Sequence, residues 1–421
     1  MRKNRSPLYA RHFFALILTG FFLSACFDDH SGDDSQSLVS LDPLAISFSS
    51  TNHWVYATDV NGEVLDVQNT VGRKQVTLTS TRYVDKFNLN IVTGTVDTNG
   101  KTYLQIQTYA DVSPGSSFEV RYGNGGMVLT DPANVNFRIA GYDGPKYGIN
   151  ITNKGSYFSY DVAMAGDTYE ANLQLCQLPS DVLLTTYRNG TPVYARIPGV
   201  KGGDVLNLDM DTNFTPFEHQ RKLDFGGYYN IGWVQGAYIE GNKYLPQFYF
   251  DLIETDRLAG TKDATDQPVI GYVDGFDSYS MYVANAQPSG YVSYFKQGDI
   301  EDSFDSFTMP TFTYKTINTG LRNFTFEFSE DYSYYEANFS NESATLSMNW
   351  SIHTPSGVAV NIGDLPREVL AEYPMIDPDT FWFDGIKLTK VISGESFHDS
   401  ILRIGTPQSP EFEYYTFSPN L

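Results

Sequence analysis

The feature that most constrains the fold is a strict alternation of apolar and polar residues that recurs along the chain. Residues 86–91 read Lys-Phe-Asn-Leu-Asn-Ile, and residues 346–353 read Leu-Ser-Met-Asn-Trp-Ser-Ile-His. Successive side chains of a strand point to opposite faces, so each segment gathers its apolar residues on one face and leaves His353 on the other. No stretch shows a sustained helical period, and 30 tyrosines, 29 phenylalanines and 35 glycines suit strands and turns. The sequence predicts an all-β protein.

Asn-Gly pairs separate several of these alternating segments. Asn61-Gly62 follows residues 54–60, and Asn99-Gly100 precedes residues 103–109. Both residue types tolerate positive φ, which makes Asn-Gly the strongest short-range signal for a β-hairpin. We therefore expect residues 45–130 to form one antiparallel β-sandwich domain.

Residues 131–215 are predicted to form a second sandwich domain of the immunoglobulin-like or prealbumin-like type. Seven short strand candidates with turns between them fit into this segment, as that architecture requires. The candidates are residues 135–139, 147–152, 157–164, 169–178, 182–187, 192–197 and 205–208. Residues 190–194 followed by residues 199–204 are similar to carboxypeptidase-regulatory-type β modules.

Residues 216–421 are more aromatic and are predicted to form either one large sandwich or two smaller ones, with a boundary near 318–320 in the second case. One short helix is expected at residues 365–373, with Asp364 as its N-cap. The predicted fold class is thus a tandem array of antiparallel β-sandwich domains, and the length of 421 residues agrees with two to four domains.

The N-terminus combines a basic segment, a short apolar run and a cysteine. The apolar run of 11 residues at 13–23 is too short to cross a bilayer, and no acid precedes it. This layout is typical of a cleaved secretory signal. The sequence Leu23-Ser24-Ala25-Cys26 that ends it resembles the lipobox of bacterial lipoproteins.

That resemblance implies cleavage between Ala25 and Cys26 and acylation of Cys26, for example with palmitate. Residues 1–25 would be the lipoprotein signal peptide and residues 26–44 an acidic flexible tether. The membrane would then be a partner through the N-terminal lipid. Phe27 stands where an aspartate would retain a lipoprotein in the inner membrane, which implies the outer membrane, on its periplasmic face or at the cell surface.

The charge of the chain excludes one large class of partners. Acidic residues number 50 against 28 basic ones, for a net charge of −22, and cleavage before Cys26 would remove four basic residues and no acid. Nucleic-acid binding rewards clusters of Lys and Arg. The sequence therefore predicts no nucleic-acid partner and leaves cations, basic proteins or neutral glycans.

Candidate metal ligands and catalytic residues are weak. The four histidines of the body do not stand at ligand spacing, and Cys176 is expected to be a buried thiol. Asp209, Asp211 and Asn213 resemble the opening of a calcium loop, but Phe214 replaces the glycine that such a loop needs. The sequence predicts no catalytic residue and no cofactor, with Ca²⁺ as the ion that the acidic composition would suit.

Exposed aromatic rings can act as platforms for the apolar faces of sugars, and one aromatic segment is a candidate for that role. Its residues are Tyr228, Tyr229, Trp233 and Tyr238. The alternative is that these rings belong to the core, as most rings in an all-β protein do.

The sequence favours a lipid-anchored, non-catalytic envelope protein that binds a protein or a glycan through loops of its sandwiches. One alternative is a polysaccharide-active or other hydrolytic enzyme in the C-terminal half. Another is a structural or assembly component of an envelope machine. Two convergent carboxylates in a cleft would favour the enzyme, and an exposed aromatic strip would favour glycan binding. An unpaired strand or a large apolar patch would favour the assembly role.

Overall fold

A computed structural model describes residues 35–41, 52–118, 132–144, 148–154, 157–222, 230–240, 243–251, 269–298, 309–393, 397 and 411–420. The signal, Ala25 and Cys26 lie outside these ranges. The described chain is all-β, as predicted, with sheets that pack as sandwiches. Within it, no helix combines the length and the apolar character that crossing a bilayer requires.

The strands in chain order are β1 (Gln36–Leu41), β2 (Asn52–Thr58), β3 (Val64–Asn69), β4 (Val76–Ser80), β5 (Phe87–Val96), β6 (Thr102–Val112), β7 (Ser116–Phe118), β8 (Ala133–Ala140), β9 (Asn150–Asn153), β10 (Tyr157–Ala165), β11 (Thr168–Leu175), β12 (Ser180–Arg188), β13 (Thr191–Val200), β14 (Val205–Asp209), β15 (Thr215–Pro216), β16 (His219–Lys222), β17 (Asn230–Glu240), β18 (Lys243–Asp251), β19 (Val269–Tyr272), β20 (Ser278–Gln287), β21 (Gly290–Gly298), β22 (Tyr314–Asn318), β23 (Thr325–Phe328), β24 (Tyr334–Glu342), β25 (Leu346–Pro355), β26 (Trp382–Ser393) and β27 (Phe412–Pro419). The helix α1 (Arg367–Glu372) and a 3₁₀ turn (Pro378–Thr380) lie between β25 and β26.

A sheet of twelve strands dominates the structure. Its order is β18-β17-β20-β21-β27-β26-β24-β25-β6-β5-β2-β3. Every neighbouring pair is antiparallel except β25 and β6, which run parallel. This parallel pair joins strands from the segments expected as the first and third domains into one sheet. The expected boundaries between domains stay predictions, and residues 318–320 lie in the hairpin between β22 and β23.

Residues 133–216 form a sandwich of two four-stranded sheets. The sheet β10-β11-β8-β14 faces the sheet β15-β13-β12-β9 across a cluster of buried apolar residues that includes Phe137, Leu173 and Leu184. Each of the seven strand candidates predicted for this segment overlaps an observed strand, and the short strand β15 is an additional one. Cys176 lies at the edge of this unit and is 2% exposed, as expected for a buried thiol.

A three-stranded sheet, β4-β1-β7, covers one end of the twelve-stranded sheet. Leu38, Leu78 and Leu89 are fully buried between the two layers. The prediction that residues 26–44 form a flexible tether is therefore wrong for residues 36–41, because β1 pairs with β4 and β7 and contributes Leu38 to this core. Tyr109 belongs to the same buried cluster, and its ring stacks on the imidazole of His353 with centroids 4.8 Å apart. His353 lies on the face predicted for it, but its side chain is only 13% exposed.

The helix is shorter than predicted and its cap is different. Helix α1 begins after Pro366, and no side chain caps it. The prediction that Asp364 caps the helix is wrong, because its carboxylate instead accepts a hydrogen bond from Arg322 Nη2 at 3.2 Å.

Two hairpins of the large sheet have the same loop sequence, Asp-x-Asn-Gly, and the same geometry. In each loop the Asp carboxylate accepts hydrogen bonds from two backbone amides of the loop, at 2.9 Å for Asp59 and at 2.8 Å for Asp97. Gly62 has φ +86° and Gly100 has φ +80°, as the Asn-Gly signal predicts. The surroundings differ, since the Gly62 turn touches Gly363 and the Gly100 turn is open.

We expect Gly62→Ala to destabilise the protein more than Gly100→Ala. Both substitutions strain a left-handed residue by about 1–2 kcal/mol. An added Cβ at Gly62 would also lie 2.7 Å from the backbone of Gly363, whereas nothing lies within 4 Å of one at Gly100. The additional overpacking cost is about 1–3 kcal/mol, and urea unfolding of the two variants measures it. Equal destabilisation would contradict the close approach of these two loops.

A buried hydrogen-bond chain crosses the parallel seam between β25 and β6. Trp350 Nε1 donates to Thr108 Oγ1 at 2.9 Å, and Thr108 Oγ1 donates to Asn90 Oδ1 at 2.7 Å. Trp350 is 1% exposed and Thr108 is fully buried. These three side chains fix the two halves of the large sheet in one register.

We expect Thr108→Val to lower the free energy of unfolding by about 1–3 kcal/mol, because it leaves the indole N–H and the Asn90 oxygen without partners. Chemical denaturation measures the loss. Thr77→Val on β4 is the matched control, because Thr77 is exposed and its replacement should change stability by less than about 0.5 kcal/mol. If Thr108→Val leaves the free energy of unfolding unchanged, the hydrogen-bond chain does not stabilise the pairing of β25 with β6.

Candidate functional site

Four aromatic residues form a row across four neighbouring strands of the large sheet. Trp233 on β17 pairs with Tyr282 on β20, which pairs with Phe295 on β21, which pairs with Tyr414 on β27. Residues paired directly across strands share a face of the sheet. Three strand spacings give the row a length of about 14 Å.

The row lies on the outer face of the sheet, away from the main core. Val234, Val283 and Tyr294 are the neighbours in sequence of three row residues, point to the opposite face, and are at most 1% exposed. All four row residues are partly exposed. Alternation along each strand therefore points the residues of the row toward solvent and their sequence neighbours into the core.

The rings at one end of the row are nearly parallel and lie side by side. Phe295, Phe412 and Tyr414 have interplanar angles of 7–17°. Their centroids are separated by 5.2, 5.5 and 6.1 Å, which are the sides of a triangle and not the spacings of a single column. The three rings therefore form a tiled aromatic surface, which meets the indole of Trp233 edge to face at 6.0 Å.

A second row, two residues further along the strands, runs beside the first and is mostly polar. Gln235 pairs with Ser280, Ser280 with Gln297, and Gln297 with Phe412. The two glutamine side chains are partly exposed. Each carries amide donors and an acceptor on the same face as the aromatic row.

The surface formed by the two rows carries no formal charge. None of its eight residues is Asp, Glu, Lys or Arg. Burial raises the pKa of Tyr414 to about 12, with further contributions from the nearby phenols of Tyr334 and Tyr282. The phenol is therefore neutral at physiological pH, and the surface suits a neutral ligand more than an ionic one.

The structure separates two of the aromatic residues that the sequence grouped together, Trp233 and Tyr238. Trp233 belongs to the outer row, whereas Tyr238 lies five residues further along β17, whose pairing with β20 has no register shift, and its ring packs at 5.3 Å on Phe276. The two side chains thus point to opposite faces of the sheet. Tyr228 and Tyr229 lie outside the described residues.

The three candidate calcium ligands form a hydrogen-bonded turn. Asp209 accepts from the amide of Asp211 at 2.8 Å, and Asn213 Oδ1 accepts from the amide of Asp209 at 2.8 Å. Arg188 forms an ion pair with Asp211. Because the backbone and a guanidinium already occupy these oxygens, the turn has a sufficient explanation without an ion.

Tyr282, Phe295 and Tyr414 were not among the residues predicted to form a site. All three lie in the aromatic segment 216–421 that was predicted to form β-sandwich structure, so the signal for the fold class was present. The missing information was which strands are neighbours and in what register they pair. In particular, β21 pairs with β27, although more than a hundred residues separate these two strands in the sequence.

Comparison of the chain with protein-family models, with curated proteins and with solved structures finds no match.

Proposed function

We propose that this protein is a non-catalytic, lipid-anchored protein of the bacterial envelope that binds a neutral glycan on the outer face of its large sheet. The observation that carries the proposal is the register of the aromatic row Trp233–Tyr282–Phe295–Tyr414 with the glutamine-bearing row beside it. The ligand surface is a sheet face and not the sandwich loops that the sequence favoured.

The two rows match the two kinds of surface on a sugar. The C–H faces of a pyranose ring are apolar and gain free energy by packing on aromatic rings, while the hydroxyl groups at its edge require hydrogen-bond partners. The tiled rings supply the apolar contact for the C–H faces, and the amides of Gln235 and Gln297 supply hydrogen-bond partners for the hydroxyl groups. An elongated row of about 14 Å favours a chain of sugars over a single one.

The anchor belongs to the same proposal. The lipobox resemblance at Leu23–Cys26 supports an acylated Cys26 in the outer membrane, facing the periplasm or the cell exterior. The residues between Cys26 and β1 would act as the tether and would let the body reach ligands away from a membrane surface that repels its negative charge.

We expect Trp233→Ala to weaken binding of a neutral polysaccharide about tenfold, which corresponds to about 1.4 kcal/mol and is typical of a lost aromatic contact. Affinity electrophoresis of the protein through gels that contain different neutral polysaccharides measures the effect. Trp382→Ala is the matched control, because Trp382 is 47% exposed on β26 and lies outside the row. Circular dichroism confirms that both variants fold.

Equal retardation of the Trp233 and Trp382 variants would exclude the row as the binding surface. If no neutral polysaccharide retards the unmodified protein, the glycan proposal is wrong, and a protein ligand on the same face becomes the explanation for its exposed rings.

We also expect Cys26→Ser to release the protein from the membrane fraction into the soluble fraction, because the variant has no thiol to acylate. Fractionation of cells followed by immunoblotting measures the shift. Cys176→Ser is the control and should leave the distribution unchanged, since that thiol is buried in the body. A Cys26 variant that stays in the membrane fraction would refute the lipoprotein assignment.

A further inference from the structure

Three potential metal ligands meet where the small sheet β16-β19 adjoins the sandwich of residues 133–216. Glu218 and His219 stand at the start of β16, and Asp274 follows β19. One ligand atom from each side chain lies within 4.8 Å of the other two. We infer that Glu218, His219 and Asp274 form a binding site for a divalent transition-metal ion of the Zn²⁺ type.

The imidazole of His219 is held in place by the sheet. Its cross-strand partner is Tyr272, and the two rings stack with centroids 4.7 Å apart and an interplanar angle of 13°. Tyr272 is fully buried, so the stack fixes the plane of the imidazole. A fixed ring presents its Nε2 atom in one direction, which lowers the entropy cost of binding an ion.

The Nε2 atom of His219 is buried and lacks a proper hydrogen bond. It lies 2.9 Å from Asp274 Oδ1, but it has no partner of acceptable hydrogen-bond geometry among the described residues. A simple imidazole–carboxylate ion pair would align the N–H with the carboxylate oxygen. The observed arrangement instead places a nitrogen and an oxygen side by side, as two ligands of one ion would be.

Glu218 has the supporting contact that metal ligands usually have. The Tyr194 hydroxyl, from β13 of the neighbouring sandwich, donates to Glu218 Oε1 at 3.2 Å. Such outer contacts orient a carboxylate and leave its second oxygen for the metal. Three different strands or their ends therefore contribute to the site, and the carboxylates remain accessible, since the Asp274 side chain is 56% exposed.

The donor set selects the type of ion. One imidazole nitrogen with two carboxylate oxygens suits Zn²⁺ and similar ions, whereas Ca²⁺ prefers oxygen ligands alone. Bonds of about 2.0–2.2 Å place the ligand atoms about 3–4 Å apart around such an ion. The exposed carboxylates of Glu218 and Asp274 would therefore move inward by about 1 Å. Three protein ligands leave a position for water or for a ligand atom.

The sequence shows no metal-ligand spacing here because Glu218 and His219 are adjacent while Asp274 is remote in the chain. Pairing of β16 with β19 brings them together. The proposed site shares no residue with the aromatic row, so it does not depend on glycan binding.

Isothermal titration of tag-free, chelator-treated protein with Zn²⁺ tests the site. Every protein carries Cys26→Ser, which removes the N-terminal thiol as a competing ligand. We expect one ion per chain, and at least about tenfold weaker binding in Glu218→Gln, Asp274→Asn and His219→Gln. Glu63→Gln is the matched control, because Glu63 is an exposed carboxylate in an ion pair with Arg82 elsewhere, and the affinity of this variant for Zn²⁺ should be unchanged.

Tyr194→Phe should weaken binding by less than removal of a ligand, since Tyr194 only orients Glu218. Substitution with Co²⁺ gives a second measurement, because Co²⁺ with protein ligands and a low coordination number absorbs visible light much more strongly than the hydrated ion. This strong absorption should be lost in His219→Gln. Failure of the parent Cys26→Ser protein to bind Zn²⁺ would overturn the inference. Equal affinity of the Asp274 variant and the control would overturn it as well.

Discussion

The parallel pairing of β25 with β6 is the interaction on which the rest of the large sheet depends. It joins residues that are far apart in sequence, so forming it costs more chain entropy than closing any of the hairpins beside it. The seam offsets this cost with buried contacts that span both strands. The Trp350 indole, the Thr108 hydroxyl and the Asn90 amide form a hydrogen-bond chain that is satisfied only in one register. A slip of one residue would turn the apolar side of β25 to the outer face.

A continuous sheet creates faces that separate small sandwiches would not have. The three-stranded sheet covers only the end near β2 and β5, and there His353 and Tyr109 mark where the cover begins. Beyond this point the outer face extends toward β17. The aromatic row lies in that part, and its rings align because the strands β17, β20, β21 and β27 are held in consecutive register. The proposed glycan surface is thus a property of the sheet and not of a loop or a pocket.

Local signals predicted local structure well. The two Asp-x-Asn-Gly loops, seven of the eight strands of the middle sandwich and the buried positions of β25 all follow from backbone preference and alternation, which act over a few residues. The cap of α1 shows where this reasoning fails. Asp364 has the right residue type and position, but Arg322 from a distant hairpin takes its carboxylate. The grouping of Trp233 with Tyr238 in one site fails for a related reason, because nearness in sequence does not place two strand residues on one face of a sheet.

The sequence by itself determined that the chain is all-β, which residues face the core, and where several hairpins turn. It also indicated an acidic protein that would not bind nucleic acid, and an N-terminus resembling that of a lipoprotein. Only the tertiary structure decided which strands are neighbours. The aromatic row and the convergence of His219 with Asp274 both depend on that pairing. The physical reason is that alternation specifies the face of each residue, while the register between remote strands depends on packing and hydrogen bonds summed over the whole core.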